Sequence, residues 1–249
     1  GLYEMSNASL DKRIALFRGK HDVTFKRGDS FYRETLVLNL SGEYRKAIEY
    51  LAESKFQIRE GENHLRETNV DAHLLYGRDL LAQGKPGEAL KVFQKAHYMP
   101  GTTMEPQLGD DELTPWIDYF IGQAYLEAGN KKKSREYFAK ITGYDFDRNS
   151  FLRYYQGMAL QKTGETGKAA EIFSSMVQQG EEMLNRKETK ADFFAKYGRS
   201  ATDDQRKSNA LLIKGLGLKG LNRMAEANEC LEKATGFNNS NLWARAEMK

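Results

Sequence analysis

Small and large apolar residues recur along the chain at a fixed spacing. A small residue is followed seven positions later by glycine or asparagine, twelve later by alanine or serine, and sixteen later by a large apolar residue. The five copies are Thr35, Gly42, Ala47, Leu51; Gly77, Gly84, Ala89, Phe93; Gly122, Gly129, Ser134, Phe138; Gly157, Gly164, Ala169, Phe173; and Gly215, Asn222, Ala227, Leu231. Because all five copies share this spacing, we interpret it as an internal repeat.

Each copy predicts two helices joined by a tight turn. The small residue lets the second helix approach the first closely, and the glycine or asparagine takes the left-handed conformation that ends the first helix. The alanine and the large residue lie one turn apart on the second helix, so both face the same side. Such a pair cannot bury its own apolar face and must stack on its neighbours.

The second and third copies carry the most specific residues. Tyr76, Gly77 and Leu80 precede Ala89 and Phe93, and the third copy has an equivalent series that ends at Phe138. These residues resemble the tetratricopeptide repeat (TPR). The resemblance implies an all-α, TPR-like α-solenoid of about five irregular helix–turn–helix repeats with flanking helices. The first copy has Glu34 and Thr35 where the family has Leu-Gly, so we expect it to pack more loosely.

The repeat register divides the chain into three parts. Leu10, Ile14 and Phe17 predict a capping helix within 1–27, the repeats occupy 28–238, and a C-terminal helix begins within 239–249. The repeats start near residues 28, 70, 115, 150 and 208, with insertions near 55–69, 99–114 and 178–203. The third insertion combines a helical extension with three aromatic residues, Phe193, Phe194 and Tyr197.

Composition excludes several classes of protein. The chain has 249 residues, 40% of them hydrophobic, and its 38 basic and 35 acidic residues leave a net charge of +3. This balance is too even for a nucleic-acid-binding surface, and no apolar run is long enough for a transmembrane helix. One cysteine, Cys230, excludes a disulfide framework. The absence of a starting methionine predicts a segment of a longer protein, with a cytoplasmic or periplasmic location left open.

A narrower resemblance concerns the insertions and the ends of the chain. The matching stretches are 10–13, 28–29, 56–62, 70–73, 192–195 and 241–244. They resemble the C-terminal TPR region of large uncharacterised bacterial proteins that have an N-terminal β-rich domain. The resemblance implies a missing N-terminal domain directed at carbohydrate. Arg59 and Asn63 stand where relatives carry an aromatic residue and a glycine.

Motifs of catalysis and cofactor binding are weak. Gly215, Gly217 and Gly220 spell GxGxxG, but the pattern places them inside a helix, so we interpret them as packing residues and not as a nucleotide site. The four histidines lack metal-ligand spacing, and His73 takes a core position. Cys230 is predicted to be a buried, inert thiol. We therefore predict no catalytic residue, metal or cofactor, and no enzyme activity.

The remaining candidate is the concave face formed by the first helices. In the TPR family, positions two, five and nine of that helix line a groove. The predicted site residues are Tyr32, Arg78, Trp116, Tyr119, Gln123 and Tyr154. Aromatic and arginine side chains often dominate the energy of protein interfaces.

Three hypotheses follow from this groove. The first is a scaffold that docks a polypeptide segment, or the chain's own N-terminal domain, through aromatic residues. The second is a carbohydrate-binding or accessory module of a glycan-processing protein, whose exposed rings would stack on sugars. The third is an enzyme whose site is built from groove residues. The cluster of Phe193, Phe194 and Tyr197 could instead fill the groove from within.

Overall fold

The computed structural model describes residues 7–53, 64–98, 112–186 and 202–248. Within these ranges the chain forms thirteen helices and no strand, divided between two compact units. The Ala8–Tyr144 unit contains α1 (Leu10–Phe17), α2 (His21–Thr24), α3 (Gly28–Leu40), α4 (Tyr44–Glu53), α5 (His64–Ala82), α6 (Pro86–Lys95), α7 (Leu113–Glu127) and α8 (Lys131–Thr142). The all-α fold class is confirmed.

The second unit contains Asn7 and the described residues from Asp145 onward. Its helices are α9 (Arg153–Thr163), α10 (Thr166–Asn185), α11 (Asp203–Gly220), α12 (Met224–Phe237) and α13 (Leu242–Glu247). The boundary between the two units thus divides the predicted 28–238 array after Tyr144. Nothing in the repeat pattern predicted this division.

Five antiparallel pairs account for most of the helices. The pairs are α3 with α4, α5 with α6, α7 with α8, α9 with α10, and α11 with α12. Their first helices begin at Gly28, His64, Leu113, Arg153 and Asp203, close to the predicted repeat starts. The predicted insertions lie mostly outside the described residues. Where they are described, 64–69 form the first turns of α5, and 178–185 continue α10 as the expected helical extension.

The turn inside each pair has the same conformation in all five copies. The turn residues have φ values of 81° at Gly42, 71° at Gly84, 79° at Gly129, 94° at Gly164 and 61° at Asn222. The following amide donates to the carbonyl five residues earlier, as Glu43 does to Leu38 (2.9 Å) and Glu165 does to Leu160 (2.8 Å). This is the Schellman arrangement, which requires a left-handed residue, so the turn prediction is confirmed.

The small and large positions of a copy lie against each other. A Cβ built on Gly77, Gly122 or Gly157 would lie 2.1, 2.8 or 2.4 Å from a ring atom of Phe93, Phe138 or Phe173, respectively. Only glycine therefore permits these rings to reach the first helix without rearrangement. The first copy replaces this combination with Thr35 and Leu51, both with 0% exposure.

Glycines also let α10 and α11 approach closely. A Cβ on Gly217 would lie 2.7 Å from the carbonyl oxygen of Phe173, and one on Gly220 would lie 2.3 Å from the Phe173 ring. Both glycines belong to the GxGxxG sequence, whose interpretation as a helix-packing feature is confirmed. The ring of Phe173 thus packs against a glycine on α9 and a glycine on α11, and it is completely buried.

Candidate functional site

The six predicted groove residues differ in exposure. Trp116, Tyr119 and Tyr154 are buried, with 2%, 4% and 6% of their surface exposed. The other three, Tyr32, Arg78 and Gln123, are half-buried. Five of the six belong to the Ala8–Tyr144 unit, and Tyr154 belongs to the second unit.

The two buried tyrosines have equivalent positions in their repeats. Tyr119 packs against Phe138 with ring centroids 5.6 Å apart, and Tyr154 packs against Phe173 at 5.9 Å. In both copies the fifth position of the repeat thus contacts the large residue of the second helix, nineteen positions later. These rings belong to the core of their own helix pair. That spacing was the sequence signal for their burial.

The ring of Trp116 contributes to the same interior. It lies edge-on to Phe120 at a centroid distance of 6.3 Å. Among the described residues, the predicted aromatics therefore do not form the pair of exposed coplanar rings that sugar stacking requires. Phe193, Phe194 and Tyr197, the predicted internal filler, lie outside the described residues.

Two of the half-buried groove residues, Tyr32 and Gln123, contact buried residues of the core. Tyr32 packs against the core cluster of Phe31, Leu51 and Leu65. The side-chain amide of Gln123 donates to the hydroxyl of Tyr119 at 2.9 Å, so the buried tyrosine orients the amide.

Arg78 and Gln123 occupy the ninth position of neighbouring repeats. Arg78 lies on α5 and Gln123 on α7, and these two helices pack against each other. Equivalent positions on neighbouring first helices place the guanidinium and the amide on the same side of the unit. This side can offer several hydrogen-bond donors and an acceptor to a ligand.

Three buried carboxylates were missed by the sequence reasoning, two in the Ala8–Tyr144 unit and the third, Glu247, on α13. Glu34 is 5% exposed and pairs with His21, whose Nδ1 lies 2.9 Å from Oε2. Asp118 is also 5% exposed; its oxygens lie 3.3 Å from His97 Nε2 and 3.1 Å from Lys140 Nζ. The available signal was a charged residue at a repeat position that is normally apolar.

The remaining singled-out residues have structural roles. His73 is 4% exposed, its Nδ1 lies 2.8 Å from the Asn69 carbonyl oxygen, and burial lowers its pKa. Burial raises the pKa of the Cys230 thiol, which disfavours the reactive thiolate. The core interpretation of both residues is confirmed. The side chain of His64 lies outside the described part of the chain.

The second unit covers one of its own groove positions. Trp243 of α13 stacks on Phe151, the second position of the fourth repeat, at a centroid distance of 6.2 Å. Glu247 accepts hydrogen bonds from Tyr155 (3.0 Å) and from Lys219 (2.8 Å) and is 5% exposed. The C-terminal helix therefore occupies this face. The sequence predicted this helix but not the surface that it covers.

The described residues contain neither a cluster of metal-ligating side chains nor a membrane-spanning helix. No group of three His, Cys, Asp or Glu side chains in these ranges could hold a metal ion. No helix in the described ranges is both long and apolar enough to cross a membrane.

Comparisons with known proteins agree with the repeat geometry. Residues 119–148 match the family model of the tetratricopeptide repeat, and they span most of α7 and all of α8. Residues 119–148 thus match a tetratricopeptide repeat, and the described chain has an all-α, TPR-like fold. Tetratricopeptide repeats are protein-interaction modules, and the fold is typical of non-enzymatic scaffolds.

Two solved structures are similar over nearly the whole length. YrrB, a TPR protein with an unusual peptide-binding site, is 16% identical, with 97% of this chain and 98% of that chain covered and a TM-score of 0.31. BtubC (BKLC) from P. vanneervenii is 11% identical, with 96% and 88% covered and a TM-score of 0.40. These scores are too low to transfer a binding site. The narrower resemblance to large bacterial proteins stays a prediction.

Proposed function

We propose that the Ala8–Tyr144 unit docks an extended polypeptide segment through Tyr32, Arg78 and Gln123. The observation that carries this proposal is the pair of half-buried polar side chains, Arg78 and Gln123, at equivalent positions of two adjacent first helices. A polypeptide in an extended conformation presents backbone carbonyls and amides at regular intervals. A guanidinium and a side-chain amide can bind both kinds of group.

The buried ring of Tyr119 supports the surface that Arg78 and Gln123 form. Tyr119 holds the Gln123 amide in one orientation, so less side-chain freedom is lost when a ligand binds. We therefore place the contact with the polypeptide on the polar side chains and not on the aromatic rings. No observation favours the carbohydrate alternative, because the rings it needs are buried.

The test begins with a peptide selected from a random phage-displayed library on the immobilised chain. Its affinity for the parent chain, Arg78→Ala and Gln123→Ala is then measured by fluorescence anisotropy. Truncating a contact residue at an interface is expected to raise the Kd by about tenfold, which corresponds to about 1.4 kcal/mol. Circular dichroism of each variant checks that the fold is unchanged.

Matched controls come from exposed residues of the same types on second helices. Arg135→Ala on α8 and Gln94→Ala on α6 remove the same groups away from the predicted face, so they should leave the affinity unchanged. The proposal is wrong if the selected peptides bind Arg78→Ala and Gln123→Ala as tightly as the parent. Equal losses in the control variants would also contradict it.

A further inference from the structure

A cavity of about 420 Å³ lies in the Ala8–Tyr144 unit, among α1, α2, α3 and α4. Its apolar wall is formed by Ile14 and Phe17 of α1 and by Val37 and Leu38 of α3, with the ring of Tyr50 on α4. The lining residues of α3 belong to a different face of that helix from Tyr32. Ligand binding in this cavity is therefore independent of polypeptide docking at Tyr32.

A buried carboxylate forms part of this cavity. Glu34 lines it, and only 6% of the Glu34 side chain is exposed. Every hydrogen bond that the described residues make to this carboxylate ends at Oε2, which accepts from the Thr24 hydroxyl and pairs with His21 Nδ1. An ionised carboxylate accepts at both oxygens, so Oε1 remains for a donor.

His21 is held in place from two sides. Its ring stacks on Tyr50 with centroids 3.6 Å apart, and its Nδ1 lies 2.9 Å from Glu34 Oε2. The carboxylate is therefore oriented by His21 and Thr24. A ligand that meets Oε1 encounters a group that is already fixed, which reduces the entropic cost of binding.

Carboxylates outnumber Arg and Lys side chains around the cavity. Arg18 and Lys46 contribute two positive charges to the lining, and Asp22 and Glu43 contribute two negative charges. Lys46 is already engaged by Glu43 at 3.4 Å. With Glu34 included, three carboxylates and two basic Arg or Lys side chains line the cavity.

We propose that this cavity binds a primary alkylammonium group, the chemistry shared by a lysine side chain and a free aliphatic diamine. The methylene stem lies along the apolar wall, and the ammonium donates to Glu34 Oε1. A neutral alkyl chain would cover Glu34 Oε1 without donating a hydrogen bond to it, which is costly. A guanidinium fits less well, because its fork is complementary to both carboxylate oxygens and Oε2 is already occupied.

The test is an NMR titration of the ¹⁵N-labelled chain with three small probes. These are Nα-acetyl-lysine methylamide, 1,5-diaminopentane and Nα-acetyl-norleucine methylamide, a neutral analogue of similar length. We expect saturable shifts in the millimolar range with at least one of the two amines. The shifts should concentrate at Glu34, Val37 and Tyr50 and be absent with the norleucine analogue.

The two amines distinguish the source of the ammonium group. Binding of the lysine probe alone indicates a lysine of a polypeptide, and binding of the diamine alone indicates a free amine; either result supports the cavity chemistry. Glu34→Gln should weaken amine binding by about tenfold or more. Glu49→Gln, an exposed carboxylate outside the cavity, should leave it unchanged.

The proposal is overturned if neither amine produces saturable shifts at the cavity residues. It is also overturned if the norleucine analogue binds equally well, or if folded Glu34→Gln binds as tightly as the parent. Should Glu34→Gln fail to fold, the shift map and the norleucine comparison on the unmodified chain still decide the question.

Discussion

The first and fourth repeats fill the same position in their helix pairs with different residues. The fourth combines Gly157 with Phe173, and the first combines Thr35 with Leu51. All three side chains are completely buried. A first helix without a side chain at this position accepts a ring from the second helix, whereas a threonine there accompanies the smaller leucine. The repeat therefore conserves the filled volume of the pair and not the residue types.

The surroundings of the two pairs differ more than their interiors. Phe173 is enclosed by glycines of α9 and α11, so the fourth repeat is closed on both sides. In the first repeat, Glu34 and Asn39 are buried polar residues, and a cavity lies among α1, α2, α3 and α4. Close packing stabilises the fourth repeat, while the first repeat borders an open cavity. Substitutions in these repeats can break or sharpen this contrast.

Phe173→Ala should have the largest effect. The ring is fully buried, so its removal leaves a cavity and is expected to lower the free energy of unfolding by about 3–5 kcal/mol. Urea unfolding followed by circular dichroism measures this loss. Phe237→Ala on α12 is the control, because Phe237 is 38% exposed and its truncation should cost less than about 1 kcal/mol. Similar losses in the two variants would contradict the enclosed position of Phe173.

Gly157→Ala tests the volume balance directly. Its new Cβ would lie 2.4 Å from the Phe173 ring, and such overpacking is expected to cost about 1–3 kcal/mol. In a Phe173→Leu background the same change should cost less, because the pair then approaches the threonine–leucine combination of the first repeat. A double-mutant cycle by urea unfolding measures this coupling. A coupling energy near zero would show that the two positions do not share one volume.

Changes in the turns should affect both repeats equally. Gly42 and Gly164 have φ values of 81° and 94°, and an alanine in this conformation costs roughly 1–2 kcal/mol. Gly42→Ala and Gly164→Ala should therefore lower the unfolding midpoint in urea by similar amounts. Gly167→Ala is the matched control, since Gly167 lies within α10 and a Cβ there has no neighbour within 4 Å. Substantial destabilisation by the control would remove the conformational explanation.

The smallest expected effect concerns His73, a buried polar residue of the second repeat. Burial lowers the pKa of His73 from its ordinary value of 6.5, so the unfolded chain binds a proton more readily than the folded chain. Its contribution to stability is complete above pH 6.5 and decreases as the pH falls. The free energy of unfolding of the parent should therefore drop between pH 7.5 and 5.5. The drop should be smaller in His73→Leu, and an unchanged pH dependence would contradict the assignment.

Part of the candidate site was predictable and part was not. The repeat register correctly placed Arg78 and Gln123 on neighbouring first helices. It could not show that Trp116, Tyr119 and Tyr154 are buried, because burial depends on neighbouring helices as well as on the position in the repeat. The nineteen-residue spacing to Phe138 and Phe173 was the one local clue.

By itself, the sequence determined the helix pairs of this protein. Each pair depends on contacts between residues close along the chain: a glycine or asparagine with positive φ, and a small residue facing a large one sixteen positions later. Tertiary structure decided which polar groups became buried. Glu34 is enclosed because α1 and α2 pack against α3 and α4, and Phe151 is covered because α13 packs onto it. In both cases the segments in contact are separated along the sequence by distances that follow no repeat spacing. Only the folded chain could therefore show these contacts.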